Sequence, residues 1–232
     1  MPIRKIVKRV VDAEWVARMI EVLDRRSDNR MTELGMLSQA FEFVKINQVI
    51  GDYLEFGLWR GKTFGYAHRM KRRYRRNDMK LWGFDSFQGL PDTGEHPDNI
   101  WHKGQFACTR EEFQVILESR GFKPSEYELV EGFYNESLNA ATHRRFAGRK
   151  AAVIYIDCDL YESTIQVLDF VQSYLVDGSI ICFDDFYNYK GDPEQGEQKA
   201  LAEFRQKQTR VRVIPYMDYA PLGKSFICRM NG

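Results

Sequence analysis

Four of five short apolar runs in this chain end in, or are closely followed by, carboxylates: Glu55, Asp85, Asp157 with Asp159, and Asp184 with Asp185. If the runs are strands of an open parallel sheet, their carboxyl ends line one crevice, the usual place for a ligand. Carboxylates gathered on one rim repel one another, so the arrangement holds only where a cation or hydrogen-bond donors neutralise it. Any one of these aspartates reads as a helix or turn cap; the set reads as a site. Asp157 closes one run and Asp184-Asp185 close the next, which suits a hard cation such as Mg²⁺ that takes oxygen ligands and keeps waters for a substrate to displace. The predicted metal ligands are therefore Asp157, Asp184 and Asp185.

The first run continues as Glu55-Phe-Gly-Leu-Trp-Arg-Gly-Lys-Thr63. Gly57 and Gly61 fall in the turn after it, where the missing Cβ lets backbone approach a ligand. Three cofactor classes compete for this turn. A dinucleotide fingerprint would read Gly-x-Gly-x-x-Gly, and the spacing here is Gly-x-x-x-Gly. A phosphate-binding P-loop would share the Gly61-Lys62-Thr63 ending but needs glycine where Phe56 stands, which leaves a P-loop phosphotransferase as the alternative enzyme. S-adenosylmethionine is the third. It carries a sulfonium, an ammonium and a ribose diol, so Glu55 beside the glycine turn suits its charge and Asp85 suits its hydroxyls.

The elements that must position these residues follow from apolar spacing. The strand-like runs are 53–57, 80–85, 127–131, 151–157 and 179–184, with helical stretches at 61–75, 109–120, 163–175 and 194–207. Thr109 with Glu112 three residues on forms a capping box. Strands alternating with helices imply right-handed crossovers and a mostly parallel sheet. Residues 210–216 and 224–230 read instead as an antiparallel hairpin joined by 217–223. Helical spacing over 12–26 and 31–48 predicts an N-terminal helical cap (1–50) ahead of the main domain (51–232), the two forming one structural unit. The fold class is α/β, and a parallel sheet closed by an antiparallel last strand is the class I methyltransferase (Rossmann-like) layout.

The chain has 232 residues, of which 44% are hydrophobic and 14% aromatic, enough for a core and against disorder. Its 34 basic and 33 acidic side chains leave no global field toward nucleic acid or membrane. The spread is uneven, with 18 basic against 10 acidic side chains in residues 1–80 and 16 against 23 afterwards. No apolar run reaches the roughly 20 residues of a membrane span, and Asp12 and Glu14 interrupt any signal core. The reading is a soluble cytoplasmic protein. Cys108, Cys158, Cys182 and Cys228 lack metal or disulfide spacing and read as buried thiols; the four histidines show no metal-ligand spacing either.

The sequence also resembles a family. Residues Gly51–Gly61 (GDYLEFGLWRG), Phe84–Pro91 (FDSFQGLP), Glu131–Leu138 (EGFYNESL), Ile156–Thr164 (IDCDLYEST) and Phe183–Phe186 (FDDF) are similar to the motifs of the macrocin O-methyltransferase family, and the likeness runs from about residue 31 to 205. The resemblance implies an S-adenosylmethionine- and Mg²⁺-dependent methylation of sugar hydroxyls in antibiotic biosynthesis. It implies that Glu55, Gly57 and Gly61 hold the cofactor's amino acid portion and that Asp85 and Ser86 hold its ribose, with Arg60, Thr63, Gly132 and Phe133 also in the cofactor site. Asp157, Asp184 and Asp185 would hold the metal. Phe56 and Phe186 replace the Cys and Tyr common in the family, and segments 92–108 and 215–223 follow no family pattern, which leaves the acceptor's identity open.

The expected chemistry is in-line transfer of a methyl group to a Mg²⁺-bound alkoxide, the metal supplying acidity and orientation. Asp157 is the expected proton acceptor as well as a ligand. His102 is the alternative base, against its plainer reading as an exposed loop histidine. A non-catalytic protein of the same fold is the second class of reading, and the retained acidic rim argues against it. The basic stretch 68–80 reads as an outer helix face more than as a nucleic-acid patch. Trp59, Trp101 and the run 186–189 are read both as acceptor-lining and as plain packing. Expected partners are a small-molecule sugar or glycoside and, by analogy with other helical caps, a second copy in a homodimer.

Overall fold

The computed structural model describes residues 31–92 and 101–231. The helix expected over 12–26 lies outside those residues. The described chain enters on α1 (Glu33–Ile46), where the Thr32 side chain accepts the Gly35 N–H and caps the first turn. Leu34, Leu37, Phe41 and Val44 form its buried stripe.

Next come β1 (Asp52–Phe56), α2 (Lys62–Arg73), β2 (Leu81–Asp85), α3 (Arg110–Ser119), β3 (Tyr127–Glu131), α4 (Tyr134–Ser137) and α5 (Ala140–Arg145). The rest is β4 (Ala151–Ile156), α6 (Tyr161–Val171), β5 (Leu175–Phe183), α7 (Gly196–Lys207), β6 (Val211–Tyr219) and β7 (Gly223–Met230). The capping box expected at Thr109 is present on α3.

The strands form one sheet in the order β3-β2-β1-β4-β5-β7-β6. The first five are parallel, and β7 runs antiparallel between β5 and β6. This is the parallel sheet with an antiparallel C-terminal hairpin that the sequence predicts. Alternate strand residues feed two cores. Tyr53, Val153, Tyr155, Ile180 and Cys182 pack with α1, α2 and α3. Leu54, Phe56, Ile154, Ile156 and Phe183 pack with α6 and α7 on the other face. Both faces are covered, so β1 and β4 are buried along their whole length. The α1 stripe belongs to the first core together with Tyr53 and Phe64, so this helix of the expected cap is part of the main hydrophobic unit.

The structure departs from the spacing in a few places. β5 begins at Leu175, four residues before the expected 179, because its Val-Asp-Gly start is too polar to read as a buried strand. The hairpin is longer than expected. Asp218 pairs with Lys224 and Tyr219 with Gly223, so most of 217–223 is strand and the turn is tight. α4 and α5 are too short to show periodicity.

Candidate active site

The parallel register sets four functional residues at one level. Phe56 pairs with Phe84 and with Ile156, and Ile156 pairs with Phe183. The next residues, Gly57, Asp85, Asp157 and Asp184, therefore stand side by side along the carboxyl edge. Backbone bonds continue there: Gly57 N–H donates to the Phe84 carbonyl at 2.9 Å, Asp157 N–H to Phe56 at 2.8 Å and Asp184 N–H to Ile156 at 2.9 Å. A cavity of about 740 Å³ opens along this edge, within the range of small-molecule sites. Among the described residues, nine carboxylate side chains and a single lysine, Lys62, line it. Such a lining favours a cationic ligand.

Of the predicted cofactor residues, Gly57, Thr63, Asp85, Ser86, Gly132 and Phe133 line the cavity. Gly57 has φ +87°, and a Cβ built there would lie 1.7 Å from the Asp157 carbonyl oxygen, so only glycine fits. The Asp85 carboxylate accepts from the backbone N–H groups of Leu58 (2.6 Å), Trp59 (3.3 Å) and Phe87 (2.7 Å), and thus ties the glycine turn to the loop after β2. Burial raises its pKa against those three bonds. The Ser86 hydroxyl donates to the Gly89 carbonyl at 2.8 Å and braces that loop.

Three predicted residues stand elsewhere. Glu55 is fully buried beneath the cavity and does not line it. Its oxygens accept from the hydroxyls of Tyr53 and, at 2.6 Å, Thr63. Gly61 caps α2 at φ +64°, where a Cβ would press on the Phe113 ring at 2.7 Å, and Arg60 is exposed over the Trp59 ring. Both lie off the cavity wall.

Burial pushes the Glu55 carboxyl up to about 8, against its hydrogen bonds from Thr63 and Tyr53. The folded state thus holds this proton more tightly than the unfolded chain. Its contribution to stability is complete below about pH 4.5 and is lost as pH rises toward 8. Glu55→Gln keeps the acceptor for Thr63 and removes the titration. Urea midpoints at pH 5, 6.5 and 8 should therefore fall less steeply for Glu55→Gln than for the parent.

On the acidic edge, one carboxylate oxygen from each of Asp157, Asp159 and Asp185 lies within 4.8 Å of the others. Asp184 lines the same cavity but takes a hydrogen bond from the Tyr155 hydroxyl, and Asp159 stands in the cluster instead. Asp159 gets there through a left-handed backbone, φ +60°, with the Leu160 N–H bonded back to the Cys158 carbonyl. Burial, with Asp184, Asp185 and Asp159 as neighbours, holds Asp157 well above the carboxylate range. Burial first and Asp185 second push Asp159 up to about 9. Burial pushes Asp184 up to about 6 and also raises Asp185. Three mutually repelling carboxylates with oxygens this close, Asp159 buried and Asp157 half-buried, are a donor set that fits a hard divalent cation.

The remaining candidates separate cleanly. His102 is exposed and off the cavity wall, whereas its neighbour Trp101 lines it with Trp59 and Phe106. Phe106 makes edge contacts with Trp59 at 5.7 Å and Trp101 at 5.8 Å. Trp59 and Phe106 share the left-handed backbone of Asp159, with φ of +41° and +62°. The run 186–189 does not line the cavity, and Phe186 packs on Phe183 and Phe226. Part of the basic stretch is structural. His68 is buried, stacked on Phe122 and 3.2 Å from Glu126, and the Arg76 guanidinium bonds the Val49 carbonyl and Asp78. All four cysteines are free and buried. No helix among the described residues is long and apolar enough to cross a membrane.

Comparison with solved structures gives the O-methyltransferase NovP at a TM-score of 0.70 and 25% identity, over 85% of this chain and 79% of that one. The calicheamicin methyltransferase CalS11 matches at 0.67 and 24%, over 84% and 77%. These likenesses establish the class I fold. By sequence, the chain is 28% identical over 163 residues to a tetracenomycin 4'-O-methyltransferase of Streptomyces olivaceus whose named acceptor carries a dimethoxyrhamnosyl group. That match covers 67% of this chain and 60% of the relative. It is 27% identical over 165 residues to the mycinamicin III 3''-O-methyltransferase of Micromonospora griseorubida, over 67% and 63%. The chain thus spans less than two thirds of each relative's own length. The family described as Macrocin-O-methyltransferase (TylF) matches residues 26–220, a stretch that takes in α1, every strand through β6, and both the glycine turn and the acidic cluster. This chain belongs to the macrocin O-methyltransferase family.

Proposed function

We propose that the protein transfers a methyl group from S-adenosylmethionine to a hydroxyl of a sugar or glycosylated acceptor, with Mg²⁺ at the aspartate cluster. The observation that carries the reading is one cavity joining a glycine turn to three clustered carboxylates. The donor brings a methyl group activated on a sulfonium, and the cation brings the charge that makes a sugar hydroxyl acidic enough to react.

The chain's own residues do the rest. Gly57, Ser86, Gly132 and Phe133 form the wall that the donor lies against, and Asp85 holds two of its loops together. Asp157, Asp159 and Asp185 are the ligands for the cation, Asp159 standing where the sequence suggested Asp184. Asp157, on the strand end beside the glycine turn, is the carboxylate best placed to take the hydroxyl proton. Desolvation and the neighbouring carboxylates raise its proton affinity and suit it to that task. Trp59, Trp101 and Phe106 give the acceptor an apolar ring wall.

The phosphotransferase alternative finds no support here. Phe56, in the place of the first P-loop glycine, is fully buried and stacked on Phe84 at 4.4 Å. Lys62 is paired with Glu33.

Calorimetry with S-adenosylhomocysteine and ATP, followed by labelled methyl transfer into a panel of glycosides and sugar nucleotides, tests the proposal. Binding of the former alone, with transfer to a hydroxyl, is the expected result; binding of ATP alone would refute it. Chelation with EDTA is expected to stop transfer and Mg²⁺ to restore it, and indifference to chelation would remove the cation from the reading.

A further inference from the structure

Asp185 is held from several sides. The Asn188 side-chain amide donates to its Oδ1 at 2.8 Å, and its carboxyl shares a hydrogen bond with that of Asp159. Its backbone N–H donates to Oε2 of Glu197 at 3.1 Å. Glu197 belongs to the first turn of α7 and is 1% exposed. Its other oxygen, Oε1, is buried without a protein partner.

Holding one N–H requires one acceptor oxygen. A second buried acceptor left unpaired costs desolvation with no return inside the protein, and such groups are rare enough to mark a missing partner. The charges that act most strongly on Glu197 are those of Asp185, Asp184 and Asp159, all on the acidic edge. Mg²⁺ retains waters whose protons need acceptors.

We propose that Glu197 is a positioning residue of the cation site. Oε2 fixes the Asp184–Asp185 turn through the Asp185 N–H, and Oε1 is the acceptor for a water in the cation's shell. The inference rests on Asp157, Asp159 and Asp185 being the cation's ligands. Groups that orient metal ligands in this way change metal affinity by about 10–100-fold when removed.

The test is Mn²⁺ binding to the full chain, followed by calorimetry and by the electron paramagnetic resonance of the free ion, with S-adenosylhomocysteine binding measured in parallel. Glu197→Ala is expected to weaken Mn²⁺ by about 10–100-fold while the nucleoside ligand binds within about threefold of the parent. Glu197→Gln keeps an acceptor for the Asp185 N–H but puts an amide donor in place of Oε1, and is expected to fall between the two. Parent-like Mn²⁺ affinity in Glu197→Ala overturns the proposal, as does an equal loss of both ligands together with a lower melting temperature, the mark of a packing role. Should the alanine variant not fold, Glu197→Gln decides, since Mn²⁺ affinity equal to the parent's overturns the proposal. A parent protein that binds no Mn²⁺ defeats the cation reading itself and this inference with it, an outcome distinct from the others.

Discussion

Asp157→Asn is expected to lower kcat/KM by at least about 10³-fold while leaving S-adenosylhomocysteine affinity within about threefold. The substitution keeps the side chain's size but removes both its charge and its capacity to take a proton. Loss of a general base alone costs 10²–10⁴-fold, and loss of a cation ligand adds to it. The cavity wall of Gly57, Ser86, Gly132 and Phe133, proposed to hold the donor, is untouched. A second readout separates this from damage to the fold. Desolvation and the neighbouring Asp184, Asp185 and Asp159 all disfavour the charged form of Asp157. Asparagine has neither a charge to be repelled nor a proton to take up on folding, so the metal-free variant should melt no lower than the parent at pH 8. Retained turnover with an intact protein would remove Asp157 from the chemistry.

The second large effect is structural. Gly57→Ala is expected to cost at least about 3 kcal/mol, a fall of roughly 6–12 °C in Tm for a chain of this size. Two terms contribute. The backbone at φ +87° is strained for any residue with a Cβ, and the added carbon would meet the Asp157 carbonyl oxygen at 1.7 Å, so β1 and β4 would have to part. Gly148→Ala is the internal control. Its φ is +75°, yet nothing lies within 4 Å of its Cβ, so it carries the backbone term alone, about 1 kcal/mol. Thermal melts of the two variants isolate the Asp157 contact. Equal losses would mean that the glycine turn does not depend on its neighbour strand.

Much of the fold was legible because buried parallel strands and amphipathic helices leave strong apolar patterns. The β3 run at 127–131 and the Thr109 capping box appear where spacing placed them. The edge carrying Asp85, Asp157 and Asp184 was legible too, since register aligns residues that each close a run. What escaped depends on single backbone angles and on contacts between distant segments. Asp159 joins Asp157 only through a left-handed turn, which no periodicity reports. Glu197 reads as an ordinary first-turn helix acid until the fold brings it under Asp185. Glu55 illustrates the converse. Its place beside a glycine turn suggested ligand contact, but strand alternation points it into the core with Tyr53, where it braces Thr63.

The left-handed backbones of Trp59, Phe106 and Asp159 all border the cavity. Bulky side chains pay a steric penalty there that glycine avoids, on the order of 1–3 kcal/mol each. Selection of this protein for heat resistance would therefore enrich glycine or asparagine at these three positions, and would trade away most of the aromatic wall and an acid of the cluster as it did so.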